Sequence, residues 1–190
     1  MPTKQSPQWY AQQGDILNVK ADVLICSANV QLNLSDGVGG AILVRYGSAM
    51  QLELRHYLAE HQRVVVEPGT IVRTSSCGTP FRFVLHAVAV DAFYQTSHEK
   101  LVSILDRSLS LCAGEGVRSV ALTALATGYG RLPMSEFADA LNEIACNAYI
   151  PVETVVVGVR HRFDLEELLS SCQFPITIIQ SDEEQTTTLY

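Results

Sequence analysis

Four short apolar runs constrain this chain more than anything else in it: DVLICS (22–27), FRFVLHAVAV (81–90), VRSVALTAL (117–125) and VETVVVGV (152–159). They are apolar along most of their length rather than at alternate positions, the pattern of strands covered on both faces. Between them lie stretches with helical spacing. From 38 to 61 the apolar positions are Val38, Ile42, Tyr46, Ala49, Met50, Leu54, Tyr57 and Leu58, and Gly47 is a point where one helix can give way to two. Leu101, Ile104, Leu105, Leu109 and Cys112 mark a helix over 98–113, stopped by Gly114 and Gly116. Pro133 opens another, with Phe137, Leu141, Ile144, Ala145 and Ala148. Asp164 and Glu167 have capping-box spacing ahead of a last helix with Leu165, Leu168 and Leu169. TIVRT (70–74) is a further strand, linked to the run at 81–90 through the turn-rich CGTP. Strands alternating with helices give an α/β fold with a mixed, mainly parallel central sheet sandwiched between helices.

No repeat or interior linker divides the chain, so residues 1–180 are expected to form one domain. QSDEEQTTTLY ends the chain, and residues 181–190 are read as a polar, acidic and mobile tail. FPITII (174–179) is either an extra edge strand or a segment that binds a partner. A formal charge of −7 argues against sequence-independent clamping of duplex nucleic acid, which relies on clustered Lys and Arg. It leaves room for a small anion held by backbone N–H groups. The five cysteines (Cys26, Cys77, Cys112, Cys146 and Cys172) form no CxxC or Cys/His cluster. No metal site and no cofactor are therefore expected, and the thiols suit a reducing compartment. With no stretch of transmembrane length and no apolar leader in MPTKQSPQWY, the expectation is a soluble cytoplasmic protein without membrane contact.

Ligands of open α/β sheets collect where strands end and loops lead into helices. Two glycine-rich loops occupy such places: SANVQLNLSDGVGG (27–40) and LATGYGRLP (125–133). Gly37, Gly39 and Gly40 allow several N–H groups to point outward together, reinforced by the positive end of the following helix dipole. Gly128 and Gly130 can do the same from the other side. For either loop alone an ordinary tight turn is the simpler reading; the two together suit a diphosphate. His86, mid-strand among apolar residues, reads as a core histidine. Asp91 reads as a turn carboxylate that could border the cleft, and Cys26 and Cys77 as thiols with no basic partner.

In order along the chain, GDI (14–16), CSAN (26–29), DGVGGAI (36–42), FVLHAV (83–88) and ALATGYG (124–130) resemble the motifs of the macro domain, an ADP-ribose-binding module, over residues 8–172. The resemblance implies a three-layer α/β/α architecture and ADP-ribose, or a mono-ADP-ribosylated protein, as partner. It also implies residue roles. Asp15 accepts from the adenine amine, as a carboxylate, which only accepts, is suited to do, and the Ile16 N–H serves the ring. Asn29 meets the hydroxyls of the distal ribose. Gly37, Val38, Gly39 and Gly40 hold the diphosphate from one side; Ala126, Thr127, Gly128, Tyr129 and Gly130 close from the other, with Tyr129 over the distal ribose. Arg160 or Phe163 flanks the adenine. A bulky acid at Gly40 is expected to abolish binding while leaving the fold intact.

One departure bears on chemistry. Many hydrolases of the family carry an Asp directly after the first loop's valine, where this sequence has Gly39; Ser35 and Asp36 stand where further glycines are common. Asn29 and Asp36 are the remaining catalytic candidates. Binding of ADP-ribose or O-acetyl-ADP-ribose is therefore the first expectation. Removal of mono-ADP-ribose or of the acetyl group comes second. Two further readings stay open: a phosphatase for ADP-ribose 1″-phosphate using Arg131, and a protein-interaction module that has lost its ligand.

Overall fold

The computed structural model describes residues 6–180 of the 190. The acidic segment read as a mobile tail lies outside the described residues. Seven strands, β1 (Gln8–Gln13), β2 (Val23–Ser27), β3 (Ile71–Ser75), β4 (Phe83–Ala87), β5 (Ser119–Thr123), β6 (Thr154–Val159) and β7 (Ile176–Ile178), form one sheet in the order β3-β4-β2-β5-β6-β1-β7. Only β3 runs antiparallel to its neighbour, pairing Ile71 with Ala87 and Ser75 with Phe83. The other pairs are parallel. Among the described residues, five α-helices complete the fold: α1 (Gly37–Tyr46), α2 (Ala49–Glu60), α3 (His98–Gly114), α4 (Met134–Ile144) and α5 (Arg162–Ser171).

The apolar strand runs are explained by two cores. Val23 and Ile25 of β2 face a core shared with α3, α4 and α5, while Leu24 and Cys26 face another containing Ile42, Met50 and Leu54 of α1 and α2. Successive strand side chains point to opposite faces, so a strand buried on both must be apolar throughout. Gly47 does divide the long helical stretch, ending α1 at φ +80°.

Two features differ from expectation. The strand QWYAQQ is not among the runs expected above, because glutamines flank its aromatic pair, yet β1 sits between β6 and β7 with Trp9 and Ala11 buried. Asp164 and Glu167 do not make a capping box. α5 begins three residues earlier, with His161 as its N-cap, and the Glu167 carboxylate accepts from the Ser135 N–H of α4 at 3.1 Å. The FPITII segment supplies the edge strand β7, and the Phe174 ring packs edge-on against Trp9 at 5.3 Å.

Candidate functional site

The parallel strands bring their carboxyl ends to one edge of the sheet, so the loops after β1, β2, β4, β5 and β6 share a single rim. From β1 to β4 the rim spans four strand intervals, about 19 Å at 4.7–4.9 Å each. Both glycine loops lie at its middle, since β2 and β5 are neighbours.

The first loop is built from within. The Asn29 side chain donates to the Asn33 carbonyl at 2.9 Å and accepts from the Asn33 N–H at 3.0 Å. Buried Gln51 of α2 donates to the Leu32 carbonyl and accepts from the Leu34 N–H. Gly37 then takes φ +56°, a conformation that costs side-chain-bearing residues, and turns the chain into α1. The helix's first bond runs from Gly40 N–H to the Asp36 carbonyl at 3.0 Å, which leaves the amides of Gly37, Val38 and Gly39 without an intrahelical acceptor. Asp36, the N-cap, makes no side-chain bond to them. Donors and helix dipole therefore coincide at an open helix start.

A Cβ on Gly37 or Gly128 would meet nothing within 4 Å. On Gly39 it would meet Leu34 Cα and Cδ2, both at 3.2 Å, and on Gly40 the Ser35 carbonyl oxygen at 3.0 Å. Position 40 thus faces its own loop, so a residue larger than glycine there presses on the Ser35 carbonyl as well as on any ligand.

The second loop is equally closed. Leu132 N–H donates to the Ala126 carbonyl at 3.2 Å and Arg131 N–H to Gly128 at 3.0 Å, while the Thr127 hydroxyl turns back to Ala124 at 2.8 Å. Gly130 is required by crowding: a Cβ there would lie 2.3 Å from the Ala126 oxygen. Tyr129, 62% exposed, comes close to the Asp36 carboxylate of the first loop, which raises the phenol's pKa. The two loops approach one another at this pair.

Asp15, Ile16 and Arg160 stand at the other part of the rim, after β1 and β6, whose ends are held together by the Gly14 N–H on the Val159 carbonyl. Asp15 caps a 3-10 turn (Ile16–Asn18) by accepting from Leu17 N–H at 2.9 Å. Its other oxygen forms an ion pair with Arg45 of α1, thirty residues along the chain. Ile16 is buried; Arg160 and Phe163 are exposed.

Other candidates fall away from chemistry. His86 is fully buried between Thr74, 3.0 Å from Nε2, and the Cys26 sulfur, 3.8 Å from Nδ1. Burial pushes its pKa down to about 4, with Glu53 partly opposing. Burial also raises the Cys26 thiol to about 12 and, in the main, raises Cys77. Neither is an activated nucleophile. Asp91 accepts from the N–H groups of Phe93 and Gln95, each at 2.8 Å, as a turn carboxylate does. A separate hollow of about 470 Å³ between α3 and α4 is lined in part by Glu99, Asp106 and Glu143, which repel a diphosphate.

Fold and loops define an α/β module with two glycine loops facing one another on the carboxyl rim of a mainly parallel sheet. The model of the macro domain family matches residues 25–141, and the chain belongs to that family. The "macro domain-containing protein in sno 5′ region" of Streptomyces nogalater is 34% identical over 155 residues, which cover 80% of this chain and 86% of that protein. A macro domain-containing protein of Streptomyces coelicolor is 33% identical over 149 residues, 78% of this chain and 86% of its own. Among solved structures, the Oceanobacillus iheyensis macrodomain with ADP superposes with a TM-score of 0.76 at 23% identity, covering 84% of this chain and 86% of that one. The Trypanosoma brucei macrodomain in complex with ADP-ribose gives 0.67 at 20%, covering 84% and 67%. At such identities these two likenesses establish the fold.

Proposed function

We propose that this protein binds ADP-ribose, free or carried as a single unit on a protein, along the rim between its two glycine loops. The observation that carries the reading is the meeting of the loops through Asp36 and Tyr129, beside three α1 amides that have no intrahelical acceptor. A diphosphate at that point completes those donors. Adenine is then directed toward Asp15, Ile16 and Arg160, and the terminal ribose toward Asn29, Tyr129 and β4. The macrodomains of Oceanobacillus iheyensis and Trypanosoma brucei named above, solved with ADP and with ADP-ribose, support the same ligand class.

Recognition without cleavage is the reading favoured here. A side chain at position 39 would run into Leu34, so the acid absent from that position has no ready place, and the Asp36 carboxylate is engaged by Tyr129. Hydrolysis would need a positioned water and stabilised charge at the anomeric carbon. A cytoplasmic setting and an ADP-ribosylated protein partner belong to the same proposal; among the described residues, no helix is long and apolar enough to cross a membrane. Calorimetric titration with ADP-ribose is expected to give saturable one-site binding, and incubation with a mono-ADP-ribosylated protein to leave the modification in place. Absence of heat with ADP-ribose would refute the binding; release of ADP-ribose would move the protein among the hydrolases.

A further inference from the structure

The loop after β4 is constructed with unusual care for a surface segment. Asp91 accepts from two amides with one carboxylate oxygen, the Asp91 N–H donates to the Gln95 carbonyl at 2.9 Å, and Tyr94 N–H donates back to the Asp91 carbonyl at 3.0 Å. Within this turn Tyr94 is held at φ +61°, a left-handed conformation that bulky residues avoid. The result keeps two aromatic side chains in water, Phe93 at 83% and Tyr94 at 50% exposure. Strain and exposure are both unfavourable unless something is gained.

What the turn achieves is a contact with the second glycine loop. The Tyr94 ring lies 6.3 Å from the Tyr129 ring, tilted by 35°, within the range of favourable aromatic pairs. Tyr129 in turn reaches Asp36. Loops after three adjacent strands, β4, β2 and β5, are thereby linked in one row, Tyr94–Tyr129–Asp36. This row stands toward β4, some strand widths from Asp15 after β1.

We infer that Tyr94 is a positioning residue that steadies the Tyr129 ring at the terminal-ribose end of the cleft and so sets preference for ligands that extend beyond the diphosphate. The inference rests on the proposed reading of the site. It assigns Tyr94 no contact with the diphosphate or the base; its effect passes through Tyr129.

The test is the ratio of affinities for ADP-ribose and ADP, since ADP lacks the second ribose. Both ligands are titrated into the full chain by calorimetry. In the Tyr94→Ala variant the preference for ADP-ribose should fall about 2- to 10-fold, the span expected from one aromatic pair. ADP affinity should be retained, which also reports that the protein is folded. Tyr94→Phe should restore the preference, because the ring and not the hydroxyl makes the pair. Adding Tyr94→Ala to Tyr129→Ala should change the ratio no further. A ratio unchanged or raised in Tyr94→Ala, no rescue by Tyr94→Phe, or additive loss in the double variant would each overturn the inference while leaving ADP-ribose binding intact. Failure of the unaltered protein to bind ADP-ribose removes the reading of the site and the inference with it.

Discussion

Two glycines of the second loop, two positions apart, predict opposite consequences for substitution. Gly128 faces open space and its φ lies outside the left-handed region, whereas Gly130 abuts a carbonyl. Gly128→Val should leave the urea midpoint nearly unchanged, within about 0.5 kcal/mol as for ordinary surface changes. In ADP-ribose titration the same variant should lose about 1–3 kcal/mol of binding, because the added methyls occupy ligand space. Gly130→Ala should do the reverse first, costing about 1–3 kcal/mol of stability as the loop shifts to relieve the clash. Equal losses of stability and affinity in both variants would show that the loop is a turn and no more. Asp15 carries two roles that a paired measurement separates. Its Oδ1 caps the 3-10 turn, so Asp15→Ala should cost about 0.5–2 kcal/mol in denaturant. Loss of an acceptor for adenine should weaken ADP-ribose by about 1–3 kcal/mol while ribose 5-phosphate is spared. The exposed ion pair with Arg45 adds at most about 1 kcal/mol to the stability term.

Between elements, α3 and α4 are joined at the surface by His98 and Glu143, 2.6 Å apart. The Glu143 hydrogen bond raises the His98 pKa, so the pair stabilises the fold at pH below the ordinary histidine value and fades as pH rises through the raised one. Both side chains are well exposed, which limits the effect to about 0–1 kcal/mol. Urea melts of His98→Ala against the unaltered chain should therefore differ at pH 5.5 and coincide at pH 8.5. A gap that persisted at high pH would mean that the contact is packing rather than charge. Element scale is also where sequence reading succeeded most. Runs such as DVLICS and VETVVVGV are buried on both faces and so announce themselves without alternation, and the Gly47 break is legible because glycine ends helices by its own conformation. β1 was not legible, since Trp9 and Tyr10 are too short a run between glutamines to stand out, and pairing with β6 and β7 completes the strand. Asp164 and Glu167 matched a local motif, but the longer-range bond from Ser135 took the carboxylate that the motif would have used. The glycine loops were readable for a related reason: strand, glycines and helix follow in order along the chain. The ion pair of Asp15 with Arg45 and the approach of Tyr129 to Asp36 and Tyr94 depend on tertiary placement and leave no spacing to read.

For the molecule as a whole, His86 makes acid the condition that tests the sheet. It is neutral and enclosed at the contact of β4 with β2 and β3, its pKa depressed to about 4 by burial, against about 6.5 in an unfolded chain. Below that ordinary value the unfolded state takes up the proton first, so stability falls from about pH 6.5 and continues to fall through about pH 4, by about 3 kcal/mol in all. His86→Gln should flatten this part of the stability–pH curve, and an unaltered slope in that variant would assign acid sensitivity to other groups. The opposite edge of the sheet is where recognition and assembly can be separated. β7 rests on β1 through three paired residues and through Phe174 on Trp9, and none of the proposed ligand residues belongs to it. A chain ending at Gln173 should lose the partial burial of Phe174, Ile176 and Ile179, about 2–4 kcal/mol from side chains worth roughly 1.5–3 kcal/mol each when fully buried. β1 would become an edge strand with Trp9 less covered. Its pairing to β6 over all six residues would remain, so the carboxyl rim keeps its arrangement. Thermal melting should thus drop while ADP-ribose affinity, measured well below the new midpoint, stays within about twofold, a difference of roughly 0.4 kcal/mol. If the shortened chain were folded yet no longer bound ADP-ribose, the segment would have to act on the ligand directly, and the site could not be confined to the loops at the rim.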